Sequence, residues 1–348
     1  MKMTINVGVI GLGNMGSSHL DRLANRISGV RLNGICDLKK ELTDKYSKMY
    51  DVKVYDNAMD LIDSPDIDAV VVVTLEGNQE EQHRTHVPFV LEAIKQKKYV
   101  FCEKPIADTA DDAMRVIDAE VKLGKRYTQI GFMRRFDPSY IELKREIDSG
   151  RYGEPLLVHA THRNETVDET YDTPMAIADT AVHETDILHW LLNDDYEFGS
   201  TFLPKKQTRY THKNLHDPQV ITIDTKSGVH VDLEVFVNNQ MGYDINCEVV
   251  CEKGVLRLET PHYTSVKTNL HQEEYIPEEY TERFKTAYDT EMQEWANGIN
   301  EDRAVGPSAW DGLISMTTVD ALHKSRNEGG IKEAITLPID RPELYSED

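Results

Sequence analysis

Asp179 and His183 stand four residues apart in ADTAVHETDILHW. On a helix that spacing puts both side chains on one face. An imidazole titrates near neutrality and can accept a hydroxyl proton, while the carboxylate can orient it or bind the same substrate. A solvent-facing i, i+4 ion pair would show the same spacing, and His189, just before Trp190, reads as structural. A further reactive group, Lys104, comes from FCEKPIADT. The apolar run 99–102 passes directly into Glu103, Lys104 and Pro105. A carboxylate, an amine and a φ-locked residue thus stand where a buried strand ends.

Gly11-Leu12-Gly13-Asn14-Met15-Gly16 follows an apolar, β-rich run and opens a helical pattern. The first glycine allows a tight turn, the second lets a pyrophosphate approach the backbone, and the third lets helix and strand pack closely. The helix start supplies free N–H groups and a positive dipole end. Asp37 ends the next strand, about 20 residues further on, where an acid accepts hydrogen bonds from ribose hydroxyls and repels a 2′-phosphate. Leu38 follows, with no Arg or Ser to hold that phosphate, so NAD is expected rather than NADP. Thr74, Glu103 and Lys104, at the carboxyl ends of later strands, complete the expected cofactor set. Oxidising an alcohol with NAD needs a hydride acceptor and a base for the O–H proton. The glycine loop and the Asp179–His183 spacing offer one each.

The elements that must position these groups alternate. Strands are expected at 5–10, 30–36, 52–55, 69–73, 99–102 and 127–132. Helices fall between them, from Met15, at 39–50, at 86–97 and at 109–123, the last ended by Gly124. Repeated βαβ units predict a doubly wound parallel sheet, a Rossmann domain over residues 1–130. After Gly131 the pattern changes. A helix at 138–147, a strand at 156–162 and a helix at 179–192 precede successive strands between 219 and 258, and two helices, 279–299 and 308–324, close the chain. Val229–Val235 alternates strictly, which predicts a mainly antiparallel open sheet with one face wet or turned to a partner. Residues 131–348 therefore read as an α+β domain for substrate binding and oligomerisation, and the whole chain as α/β.

Of 348 residues, 39% are hydrophobic and 29% charged, and the net charge is −22. Such an acidic chain repels phosphate backbones, which argues against nucleic acid. The longest apolar run, near 69–73, is far too short for a membrane span, and the first residues lack a signal-peptide pattern. The four cysteines read as reduced, and Cys247 and Cys251 have no further ligands nearby, so no metal is expected. A cytoplasmic setting fits.

GLGNMGSSH, CEKP, GFMRRFDPSY, HRN, DTAVHETDILHW and GPSAWDG together resemble the Gfo/Idh/MocA oxidoreductases over nearly the whole chain, most of all their inositol-dehydrogenase branch. The resemblance implies NAD-dependent oxidation of a ring secondary alcohol of inositol to a 2-keto-inositol. It gives Lys104, Asp179 and His183 catalytic roles, with His183 as base. It also implies a polyol pocket lined by Arg134, His162, Asn164, Tyr243 and Tyr288, a Lys104–Pro105 bond that is often cis, and a homotetramer. For Tyr288, helical spacing with Phe284, Met292 and Trp295 offers core packing as an equal reading. Oxidation of scyllo-inositol or of a pyranose sugar, and a non-catalytic NAD-binding sensor, are the alternatives. Two departures stand out. The loop at 75–85 is about half a dozen residues longer than in relatives, and Glu165 replaces a proline after HRN.

Overall fold

The computed structural model describes residues 4–74, 85–259, 265–268, 270–273 and 275–346. The long loop read at 75–85 lies, apart from Thr85, outside them. In chain order the elements are β1 (Ile5–Ile10), α1 (Asn14–Asn25), β2 (Val30–Cys36), α2 (Lys40–Tyr50), β3 (Lys53–Val54), α3 (Ala58–Asp63), β4 (Ala69–Val72), α4 (His86–Lys95), β5 (Tyr99–Cys102), α5 (Ala110–Leu123) and β6 (Thr128–Ile130). A 3-10 turn (Met133–Phe136) leads to α6 (Pro138–Asp148) and β7 (Pro155–Arg163). A π-helical turn (Ala176–Ala181) then runs into α7 (Val182–Leu192). There follow β8 (Tyr196–Phe202), β9 (Gln219–Thr225), β10 (His230–Phe236), β11 (Asp244–Cys251), β12 (Gly254–Arg257), β13 (Val266–Thr268), β14 (His271–Glu273), α8 (Tyr280–Arg283), α9 (Lys285–Asn300), α10 (Ala309–Asn327) and β15 (Glu333–Ala334).

The chain packs as two compact units. The first runs to Phe132 and takes in Tyr288–Met316 and the segment from Pro338 onward; the second comprises Met133–Ala287 and Thr317–Leu337. A single boundary at 130 does not anticipate the two returning segments.

The first unit holds a six-stranded sheet in the order β3-β2-β1-β4-β5-β6, every pair parallel. The order reverses between β1 and β4, the switch point where doubly wound sheets bind ligands. Residues 69–72 and 99–102 are wholly buried, as strands covered by helices on both faces must be. Local chemistry sets the helix ends. Thr109 accepts the Asp112 N–H at the start of α5, and Gly124 takes φ 66° at its end, a left-handed turn that glycine adopts without Cβ strain.

The second unit holds a seven-stranded sheet, β12-β11-β7-β10-β9-β8-β15. It is mostly antiparallel, but β7 and β10 run parallel, so the sheet is mixed. Along β9 and β10 buried and half-buried residues alternate strictly. One face is core. The other carries ion pairs such as Arg163 with Glu234 and Asp244, and His230 with Asp224. Helix α6 starts on Pro138 and is capped by Asp137, which accepts from the Ser139 and Tyr140 N–H groups and is paired with buried Arg283 at 2.8 Å.

Candidate functional site

In the first unit, the three glycines have different surroundings. Gly11 has φ 92°, and a Cβ there would lie 2.1 Å from the Val73 carbonyl oxygen. One on Gly16 would lie 2.0 Å from the Gly11 oxygen. Gly13 meets nothing within 4 Å. The first and third glycines therefore close the turn, and the second leaves open space where a phosphate needs it. Gly13 is also the N-cap of α1 and offers no side-chain acceptor, and this end of the helix carries the positive dipole end that favours an anion. A groove of about 780 Å³ runs from this loop past Asp37, Leu38, Lys39, Asp56, Val73 and Thr74. The Asp37 carboxylate accepts the Leu12 N–H at 2.6 Å and the Lys39 N–H at 2.7 Å. These bonds clamp it in place and leave lone pairs for ribose hydroxyls. Leu38 is 85% exposed, an apolar surface at the groove. Buried Thr74 Oγ1 has no hydrogen-bond partner among the described residues. Asn14 is exposed and Met15 half-buried on the first turn of α1. The residues present therefore fit a dinucleotide.

Lys104 follows β5 and is half-buried, and its bond to Pro105 is cis. Glu103, at the same strand end, is buried beside His19 of α1: His19 Nε2 lies 2.7 Å from Oε1, and the Lys104 N–H donates to Oε2 at 3.1 Å. Burial pushes the Glu103 carboxyl up, but His19 and Lys104 outweigh it and hold the group below the ordinary carboxylate range. Burial lowers the His19 imidazole in turn, against the pull of Glu103. A neutral His19 donating to an ionised Glu103 satisfies both directions. Tyr288 belongs to this unit, with its ring under the Arg22 guanidinium at 4.5 Å and edge-on to His19 at 6.4 Å.

In the second unit, several predicted pocket residues form one buried cluster. Arg134, on the 3-10 turn, is ion-paired with Glu184 of α7. His162 of β7 places Nδ1 2.9 Å from Glu184 Oε2 and 3.1 Å from Arg134 Nη2. Its Nε2 is 3.3 Å from the Tyr243 hydroxyl. The His183 ring centroid lies 6.3 Å from that of His162. Burial alone would raise Glu184, but Arg134 and His162 hold it below the usual carboxylate range. Burial pushes the Tyr243 phenol up, so it stays a neutral hydroxyl.

Asp179 lies half-exposed on the π-helical turn and His183 one turn on, in α7. The expected helix over 179–192 is thus π-helical where it begins. Its 4.4-residue period still leaves Asp179 and His183 on one face, and such turns are frequent at functional sites. Asn164 donates its N–H to the Phe236 carbonyl at 3.0 Å, while its Oδ1 has no partner among the described residues. His189 pairs with Asp195 at 3.2 Å, a structural contact. Glu184 was not anticipated. The signal was present, because Arg134-Arg135 offers two guanidiniums to Glu184 and Asp186 on a helix buried on nearly every side. A groove of about 890 Å³ between α6 and α8, lined by Asp137, Glu142, Glu146, Arg257 and Glu282 among others, holds none of the predicted site residues.

Residues 5–132 match a family model described as "Oxidoreductase family, NAD-binding Rossmann fold", and residues 144–335 its "C-terminal alpha/beta domain". The chain is 42% identical over 347 residues, 99% of each chain, to an inositol 2-dehydrogenase of Burkholderia cenocepacia. It is 41% identical to an inositol 2-dehydrogenase/D-chiro-inositol 3-dehydrogenase of Shouchella clausii, covering 99% of this chain and 97% of that one. Among solved structures, the myo-inositol dehydrogenase of Lactobacillus casei with NAD(H) and myo-inositol superposes with a TM-score of 0.92 at 37% identity, over 99% of this chain and 100% of that one. The chain belongs to the Gfo/Idh/MocA oxidoreductase family.

Proposed function

We propose that the protein is an NAD-dependent dehydrogenase that oxidises a ring secondary alcohol of inositol to the 2-keto-inositol. The buried Arg134–Glu184–His162–Tyr243 cluster carries this reading. It spends a strong ion pair on holding an imidazole and a phenol in fixed orientations, as recognition of a hydroxylated ring requires. Relatives covering nearly the full chain are named inositol dehydrogenases, which supports the substrate class.

NAD is the cofactor; the glycine loop and Asp37 would hold it, and it would supply the hydride acceptor. His183 accepts the hydroxyl proton, with Asp179 orienting the imidazole or holding a neighbouring hydroxyl. Lys104 stabilises the negative charge that develops on the reacting oxygen. Arg134, His162, Asn164 and Tyr243 hold the other hydroxyls, with Tyr288 the remaining pocket candidate. A hydroxyl of the wrong configuration leaves a buried polar group unpaired, at a cost of about 1–3 kcal/mol, so stereoisomers are told apart. The protein acts as a cytoplasmic homotetramer. The half-exposed, charge-paired face of the seven-stranded sheet supports self-association, and light scattering that returns the mass of one chain would contradict it.

The experiment is an absorbance assay of NADH formation over myo-inositol, scyllo-inositol, D-chiro-inositol and glucose, each with NAD and with NADP. Myo-inositol with NAD is expected to give the highest kcat/KM. Tight NAD binding without turnover of any polyol would favour a sensor instead, and turnover only with NADP would overturn the role of Asp37.

A further inference from the structure

A line of buried polar groups ties the glycine-loop helix to the lysine loop. Arg22 Nη1 approaches His19 Nδ1 at 3.4 Å, His19 Nε2 meets Glu103 Oε1 at 2.7 Å, and Glu103 Oε2 accepts the Lys104 N–H at 3.1 Å. Every link is directional. An arginine can only donate, so His19 Nδ1 accepts, its proton is on Nε2, and Glu103 is the acceptor at both of its oxygens. His19 and Glu103 are 0% and 6% exposed. Space around the carboxylate is fixed too, since a Cβ on Gly131 would come within 3.0 Å of three Glu103 carboxyl atoms. A larger residue at 131 would press on the Glu103 carboxylate, which would have to give by a few tenths of an ångström. Arg22 is anchored in turn by Asp289 at 3.3 Å and the Tyr288 ring at 4.5 Å.

We propose that His19 and Glu103 are positioning residues that hold the Lys104 backbone in register with the phosphate-binding end of α1. The inference rests on the reading of Lys104 as a reacting-oxygen ligand. One helix presents the glycine loop at its start and His19 in its second turn, so the dinucleotide and the lysine share one rigid support. A reacting group displaced by about 1 Å loses on the order of 10²-fold in rate. Glu103 therefore acts through Lys104 without touching substrate.

Isosteric variants test the chain link by link. Glu103→Gln replaces one acceptor by an NH2 group, which must face either the His19 N–H or the Lys104 N–H. Turning the histidine tautomer only moves the clash to Arg22. The expected result is a kcat about 10- to 100-fold lower and a larger kinetic isotope effect on C-deuterated inositol. In nucleotide-free protein, the rate at which acetic anhydride modifies Lys104, read by mass spectrometry against exposed Lys45 and Lys48, is expected to change at least threefold. His19→Phe should reproduce Glu103→Gln, whereas His19→Gln, which donates to Glu103 and accepts from Arg22, should recover most of the activity. Unchanged kcat and unchanged Lys104 modification in Glu103→Gln would overturn the proposal. So would equal loss in His19→Phe and His19→Gln, which would assign the effect to packing. If wild-type protein oxidises no polyol, the functional reading falls, while the modification arm still decides whether Glu103 positions Lys104.

Discussion

His183→Ala is expected to lower kcat about 10²- to 10⁴-fold, the range that a positioned general base contributes. The loss should fall on kcat rather than on nucleotide binding, because the glycine loop, Asp37 and the 780 Å³ groove belong to the other unit. Steady-state rates and NAD titration on the same preparation check both parts. The acid limb of the pH–rate profile reports protonation of the base, so it should vanish in the variant while a residual, pH-independent rate remains. A variant that keeps its full rate and the same profile would remove His183 from the mechanism.

Glu184→Ala has the largest expected effect on stability. Arg134 is 1% exposed and Glu184 2%, so deleting the carboxylate leaves a buried guanidinium without its counter-charge. Breaking such a pair costs about 3–5 kcal/mol, a large share of the roughly 5–15 kcal/mol that holds a folded domain. His162 loses its carboxylate partner at Nδ1 as well, so any activity that survives should show a raised KM for the polyol. Glu184→Gln keeps an acceptor and should cost less. The pH dependence has a definite sign. The folded-state Glu184 is held below the unfolded carboxylate value of about 4.3, so its contribution is complete above that pH and is lost as pH falls through the lower folded value. Urea unfolding at neutral pH and at about pH 3 should therefore show the gap between wild type and Glu184→Gln narrowing in acid. An equal gap at both would contradict the ion-pair account.

What the sequence made legible was local. The glycine spacing, Asp37 at a strand end, Gly124 after a helix and the strict alternation of 229–235 each follow from one or two turns of chain, and the folded protein bears these elements out. Short elements were missed. Helix α3 is only six residues long, although Asn57 caps it by accepting the Met59 N–H. Strands β8 and β15 lacked a pattern strong enough to read. The parallel pairing of β7 with β10 joins strands about 70 residues apart, a choice that neither strand's own pattern encodes. Glu184 was signalled only faintly, by the paired arginines at 134–135, for a related reason. A carboxylate on a helix reads as solvent-facing until its counter-charge, 50 residues earlier, is brought beside it. Likewise Glu103 gained an explanation only when His19, 84 residues earlier, was seen against it.

The most direct test of the central claim is transfer of the label from [2-²H]myo-inositol. Incubated with NAD and the protein, it is expected to yield reduced nucleotide with deuterium at nicotinamide C4 and a ring ketone at C2. Unlabelled NADH, or no reduced nucleotide under conditions where NAD is bound, would contradict it.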